Sequence, residues 1–211
     1  MPPVSYHSPM NWLAHLLLSD PDPCTQIGNL LPDLMSSRET AEMPEEFQRG
    51  IFQHRLVDSY TDSHPVFRRS TRRIEGDLRR FSTILVDVFY DHILAREWAR
   101  FSSAKLEGFV GHFYESIDTC RPALTEEAFV RLCQMREGDW LRSYGDLGGI
   151  ATALQRIGTR LRKPVRLDES VIFLESAYDA FRGDFLDFFP QVQSHVAAHP
   201  VRLPLFKAKP L

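Results

Sequence analysis

The sequence predicts a single all-α domain, a helical bundle, on three observations. Apolar residues recur at helical spacing through most of its 211 residues, and no stretch alternates with the two-residue period of a half-buried strand. Prolines fall between the periodic segments, where they punctuate helices rather than interrupt them. No solenoid-length repeat and no Gly/Ser-rich linker divides the chain. The expected layout is a flexible extension over residues 1–9, a helical domain over 10–190 and a proline-containing tail over 191–211.

Trp12-Leu-Ala-His-Leu-Leu-Leu18 is an apolar run carrying one histidine and predicts the first helix. Ser19-Asp-Pro-Asp-Pro23 ends it as a turn. In Gly28-Asn-Leu-Leu-Pro-Asp33 a glycine and a proline bracket a tight bend that can aim Asp33 inward. A polar loop then leads to Pro44. From there to Asp62 no proline intervenes, and the spacing predicts one helix that His64-Pro65 breaks. Val66 to Arg80 is the next helix, studded with Arg68, Arg69, Arg72, Arg73, Arg79 and Arg80. Ile84 to Leu94 continues without Gly or Pro through Trp98 and is too long for a typical strand, so it too reads as helix. Helices are expected over 108–117, 125–137, 140–144 and 151–162, with a loop at Gly145-Asp-Leu-Gly-Gly149 that fits no phosphate-cradling pattern. A long final helix over 168–189 carries Phe173, Tyr178, Phe181, Phe185 and Phe188 as a core stripe.

An apolar share of 43%, a charged share of 25% and a net charge of -3 describe an ordinary globular protein and argue against nucleic acid as the main partner. Cys24, Cys120 and Cys133 show no CxxC spacing, so free thiols in a reducing compartment are expected rather than a disulfide framework or zinc ribbon. No apolar run reaches the roughly 18 residues of a membrane span and no signal peptide is visible, so a cytoplasmic protein is expected.

The chemistry sits in two predicted helices. His54, Asp58 and Asp62 are four apart and share one face, with Arg55 at its edge. Asp87 and Asp91 share a face of the other helix, with His92 beside them. Carboxylates and imidazoles among Ile, Leu, Val, Phe and Tyr are costly to bury unless paired or metal-bound, so two such helices facing each other make a candidate metal cage. The competing structural reading is an ion-pair network, for instance Asp58 with Arg55 or Arg68, and for His15 a satisfied core histidine. There is no HExxH motif and no Glu followed three residues later by His, which sets aside zincin and ferritin-like di-iron sites. Mixed Asp and His suit Mn²⁺, Fe²⁺, Mg²⁺ or Zn²⁺, ions that lower the pKa of bound water.

Five motifs in order, Asn11-x-Leu-Ala-His15, Gly28-Asn-Leu-Leu-x-Asp33, Gly50-Ile-x-x-His-Arg-x-x-Asp58, Thr61-Asp-x-His-Pro65 and Leu85-x-Asp-x-x-x-Asp-His-x-Leu94, resemble the acyl carrier protein phosphodiesterase family. The likeness begins at Met10. It implies an HD-domain-like bundle and a Mn²⁺-dependent enzyme, with Mg²⁺ or Fe²⁺ as alternatives, that removes 4′-phosphopantetheine from holo-acyl carrier protein. It points to Asp33, His54, Asp58, Asp87, Asp91 and His92 as metal ligands. Asp62 and His15 are the candidate general acid or base, and Arg55 is a candidate phosphate or ligand-orienting group. The arginine stripe from Arg68 to Arg80 is either a solvated face or a docking face for the acidic carrier protein. Two alternatives stay open: an HD-type phosphohydrolase acting on a nucleotide or other small phosphoester, and a non-catalytic carrier-protein-binding module.

Overall fold

The computed structural model describes residues 11–201. Twelve α-helices and four short 3-10 segments make up the described chain, and it contains no strand. The expected extension over residues 1–9, the start at Met10 and the last ten residues of the expected tail lie outside the described residues.

Helix α1 (Trp12–Leu18) runs into the Ser19–Asp22 turn, and Asp22 caps α2 (Pro23–Leu34) by accepting from Thr25 N. The Gly28–Asp33 segment is therefore helix, not a bend, with Pro32 inside it. Its glycine serves an approach between helices. After the short α3 (Ser37–Ala41), closed at its start by a reciprocal Ser36–Glu39 capping box, comes α4 (Glu45–Ser63), which crosses α2 at very short range. A Cβ at Gly28 would lie 2.3 Å from Phe47 O, and one at Gly50 would lie 2.0 Å from Thr25 O. Only glycine admits backbone this close.

His64 ends α4 and caps α5 (Pro65–Thr71), which is far shorter than the helix expected from Val66 to Arg80. The helix ends at Thr71, where Arg73 N and Ile74 N turn back onto Ser70 O and Thr71 O, and the chain then passes Gly76, whose φ of 65° is the left-handed conformation that costs other residues a Cβ clash. A 3-10 segment (Gly76–Phe81) follows, so the six arginines do not form one stripe.

Helix α6 (Ser82–Arg96) is the centre of the molecule. Every residue from Leu85 to Leu94 is buried, and α1, α5, α10 (Leu147–Arg160) and α12 (Tyr178–Ala198) pack around it. A helix apolar on all sides must lie inside. Helices α7 (Leu106–Cys120) and α8 (Glu126–Glu137) cover the side of α2, and α9 (Trp140–Ser143) packs on α7, α8 and α10. The glycine loop expected at 145–149 is mostly the first turn of α10.

The expected helix over 168–189 is interrupted. A 3-10 turn (Leu167–Ser170) and α11 (Val171–Ser176) precede a break at Ala177, and α12 then continues past Pro190 to Ala198, where a tail was expected. A mid-helix proline costs about 3 kcal/mol. Phe188, Phe189 and Val192 flank it, all buried, and each such side chain contributes roughly 1.5–3 kcal/mol. Burial on both sides of Pro190 thus outweighs the break. The aromatic stripe is core as expected: Phe181 meets Phe89 edge-on and Phe185 meets Tyr90 edge-on.

Candidate metal centre

Four helices converge on one polar pocket in the core. α1 supplies His15, α2 supplies Asn29 and Asp33, α4 supplies His54 and Asp58, and α6 supplies Asp87 and Asp91. The α2–α4 crossing through Gly28 and Gly50 sets the first contact, because it brings Asn29 O to 2.7 Å from His54 Nδ1. Asp91 sets the second. Its two carboxylate oxygens accept from Leu13 N and Ala14 N at 2.9 Å each, so it caps α1 from across the bundle. Asn11, at the cap position itself, makes no side-chain cap bond. Asp91 thereby fixes where His15 points.

The two imidazoles stack at 4.3 Å between centroids and both present Nε2 to Asp58. His54 Nε2 is 3.0 Å from Asp58 Oδ2 and 3.6 Å from Asp33 Oδ1; His15 Nε2 is 3.2 Å from Asp58 Oδ1 but lacks hydrogen-bond geometry. One ligand atom from each of His15, His54 and Asp58 lies within 4.8 Å of the others. Asp33 is fixed from its far side by Trp12 Nε1, which donates to Oδ2 at 2.8 Å. Asp58 keeps 21% of its side chain exposed, so the pocket opens to solvent there.

The electrostatics are those of a cation site. Burial alone would lower the His54 pKa, but Asp33 and Asp58 outweigh it and raise it to about 9. Burial likewise works to raise Asp58, and its contacts with His15 and His54 overcome this and hold it well below the usual carboxylate range. Asp87 is the extreme case. It is wholly buried, neither oxygen has a hydrogen-bond partner, and burial with the charges of Asp58, Asp62, Asp91 and Asp33 drives its pKa far up. Burial and Asp33 also push Asp91 up to about 8, against its two N–H donors. Four carboxylates, Asp33, Asp58, Asp87 and Asp91, crowd two imidazoles, and the upward shifts of Asp87 and Asp91 express a negative field that a divalent ion would relieve. Two imidazole nitrogens with carboxylate oxygens form a donor set suited to Mn²⁺, Fe²⁺ or Zn²⁺, and the residues present fit such an ion.

The other expected site residues lie elsewhere. His92 is turned away from the pocket: its Nδ1 sits 2.7 Å from Tyr144 O and its ring meets Tyr178 edge-on, so it does not join the cluster. The reason is angular, since a residue next to Asp91 on a helix points about 100° away. Asp62 is exposed one turn beyond Asp58, at the mouth, and still contributes to the field at Asp87. Arg55 is exposed on α4 and has no ion-pair partner among the described residues. His15 stands with the donor groups beside His54. Asp58 pairs with the histidines and not with Arg55 or Arg68.

The arginines divide. Arg69 and Arg73 are tied to Asp184, and Arg69 also to Asp187, both on α12, while Arg68 donates to Asp62 O. Ser70 adds a hydrogen bond to Asp184. Arg72, Arg79 and Arg80 are exposed. Arg80 borders a groove of about 410 Å³ with Phe81, Ile84, Leu161, Arg162, Lys163 and Val165. Arg162 and Lys163 carried no signal in the sequence, because only the fold brings them opposite Arg80. Asn29 entered the sequence reading only as a letter of the motif Gly28-Asn-Leu-Leu-x-Asp33, with no role of its own.

A family model described as acyl carrier protein phosphodiesterase matches residues 10–192. Curated relatives from Salmonella agona (strain SL483), Salmonella newport (strain SL254) and Salmonella heidelberg (strain SL476) carry the name acyl carrier protein phosphodiesterase. Each is 31% identical over 190 residues, covering 89% of this chain and 98% of the relative. No solved structure matches.

Proposed function

The chain belongs to the acyl carrier protein phosphodiesterase family, and from that premise we propose that it hydrolyses holo-acyl carrier protein to the apo-protein and 4′-phosphopantetheine at the α1–α2–α4–α6 pocket. The carrying observation is the convergence of His15, His54 and Asp58 beside the unpartnered carboxylate of Asp87. His15, His54 and Asp58 would hold a divalent cation, Mn²⁺ in our assignment, with Asp33 and Asp87 completing its charge balance. When bound, such an ion polarises a phosphoryl oxygen and lowers the pKa of water near it.

The remaining work falls to this chain's own groups. Water adds to phosphorus, the bond from phosphorus to the carrier serine oxygen breaks, and that oxygen takes up a proton. Asp62, exposed at the mouth one turn from Asp58, is placed to exchange that proton with solvent. Arg55 is on the same exposed side of α4 and is unpaired, which leaves its guanidinium available to a phosphate. The HD-like character of the bundle, implied by the motifs, is part of this proposal, and so is a cytoplasmic setting.

Carrier-protein docking is assigned to the groove beside Arg80. Of the arginines between 68 and 80, Arg69 and Arg73 are consumed by Asp184. Arg80, Arg162 and Lys163 have no ion-pair partner among the described residues and face an apolar floor of Phe81, Ile84, Leu161 and Val165. Ile84 lies one turn before Asp87 on α6, so the groove starts next to the pocket.

The test is the intact mass of holo-acyl carrier protein after incubation with the protein and Mn²⁺, with an EDTA control. Loss of the phosphopantetheine mass in the Mn²⁺ sample alone is expected. An unchanged carrier protein, with a small chromogenic diester cleaved, would replace this reading by a small-phosphoester hydrolase.

A further inference from the structure

Asn29 makes more of the pocket than any of its ligand candidates. It is fully buried on α2. Its Oδ1 lies 2.9 Å from His15 Nδ1, and its Nδ2 donates to His15 O at 3.0 Å and to Ser19 Oγ at 2.6 Å. Its backbone carbonyl lies 2.7 Å from His54 Nδ1. Every hydrogen-bonding atom of the side chain is engaged.

The donor and acceptor roles follow by elimination. His15 O is a carbonyl and only accepts, so the nitrogen of the Asn29 amide faces it and the amide oxygen faces His15 Nδ1. Ser19 Oγ donates to His15 O at 3.0 Å, which leaves its lone pairs to receive the second Asn29 N–H. An amide oxygen only accepts, so His15 Nδ1 carries the proton. Asn29 O is also a pure acceptor, so His54 Nδ1 carries one too. A neutral imidazole has one N–H, and with it fixed at Nδ1 the lone pair is at Nε2, the atom each ring turns toward Asp58.

We infer that Asn29 is the positioning residue that holds both histidines as Nδ1–H tautomers, His15 through its side-chain amide and His54 through its main-chain carbonyl, so that both offer Nε2 to a cation. The inference rests on the metal reading for its purpose but not for its tautomers. Outer hydrogen-bond partners of this kind change metal affinity about 10–100-fold when removed. The split between side chain and main chain is the distinguishing feature: a substitution at residue 29 removes the anchor of His15 and leaves that of His54.

The experiment is two-bond ¹H–¹⁵N correlation on ¹⁵N-histidine-labelled protein loaded with Zn²⁺, together with Zn²⁺ affinity by competition with a chelating dye. In the wild type, His15 and His54 should both show a protonated Nδ1 and a metal-shifted Nε2. Asn29→Leu should lose the fixed Nδ1–H of His15, keep that of His54, and bind Zn²⁺ about 10–100-fold more weakly. Asn29→Asp keeps the acceptor toward His15 Nδ1 and should keep the His15 tautomer, at a cost in stability because its second oxygen then faces the His15 carbonyl. If Asn29→Leu does not fold, the wild-type spectrum and Asn29→Asp still decide the matter. A wild-type His15 protonated at Nε2 and not Nδ1, or a Leu variant with both tautomers and affinity unchanged, would overturn the inference. A wild type that binds no Zn²⁺ would defeat the metal reading instead, and the tautomers would then be read on the metal-free protein with both imidazoles in their neutral form.

Discussion

Adding one methyl group at Gly50 should damage both the bundle and the pocket. The Cβ of Gly50→Ala would sit 2.0 Å from Thr25 O and 2.5 Å from Asn29 N, both main-chain atoms of α2. Backbone cannot rotate away as a side chain can, so α4 must retreat by about 1 Å to reach even the shortest tolerated contact. Overpacking of this kind costs about 2–3 kcal/mol, somewhat more than the gain in helix propensity of about 1 kcal/mol offsets. For a domain of this size the net loss lowers Tm by roughly 2–8 °C. The same retreat carries His54, one turn along the same face, away from Asn29 O, whose contact of 2.7 Å leaves little room. Mn²⁺ affinity should therefore fall with Tm. The assays are thermal unfolding and Mn²⁺ titration of the metal-free protein. A variant with wild-type Tm and wild-type affinity would refute the helix crossing as the device that builds the site.

Four further predictions can be checked together. Metal binding at His54 displaces a proton held with a pKa of about 9, so Mn²⁺ affinity should rise by up to about tenfold per pH unit from near pH 6.5 to 9; a flat profile would contradict that role. Because this folded pKa lies above the ordinary 6.5, His54 stabilises the metal-free protein fully below about pH 6.5, and that contribution is lost as pH rises through about 9, which urea titrations across the range would read. Asp91→Ala should cost about 1–3 kcal/mol in denaturant unfolding, since two buried N–H groups of α1 lose their acceptor, and should weaken metal binding through His15; unchanged stability would remove its capping role. Reversing charge at Arg162 and Lys163 should raise KM for holo-acyl carrier protein about tenfold or more at low salt and spare a small diester, whereas equal loss on both substrates would place these residues outside docking.

What the sequence made legible was periodic. The faces of α4 and α6 put His54 with Asp58 and Asp87 with Asp91 because spacing alone decides which side chains share a helix face. What escaped it depends on contacts between helices. Gly28 looked like a turn residue because a glycine needed for close approach and one needed for a bend are the same letter. The arginine helix stops at Thr71, ahead of the left-handed Gly76, with no local pattern to announce it, and Asp184, distant in sequence, claims Arg69 and Arg73. Asp91 looked like a ligand and is also the cap of α1, a task invisible until α1 is seen to end on α6. Pro190 was read as a stop, yet the buried stripe through Val192 carries α12 across it. His92 shares a motif with Asp91 but not a face.

The measurement that bears most directly on the central claim is a Mn²⁺ titration of the metal-free wild type and of Asp58→Asn, followed by the electron paramagnetic resonance of free Mn²⁺ and by thermal shift. Asp58 faces both His15 and His54. The wild type should bind Mn²⁺ stoichiometrically and gain about 2.7 kcal/mol at a hundredfold excess over Kd. Asp58→Asn should fold, bind far more weakly and lose turnover of holo-acyl carrier protein with it. A folded Asp58→Asn that binds Mn²⁺ as the wild type does and turns over its substrate would contradict the assignment of this pocket as the metal centre.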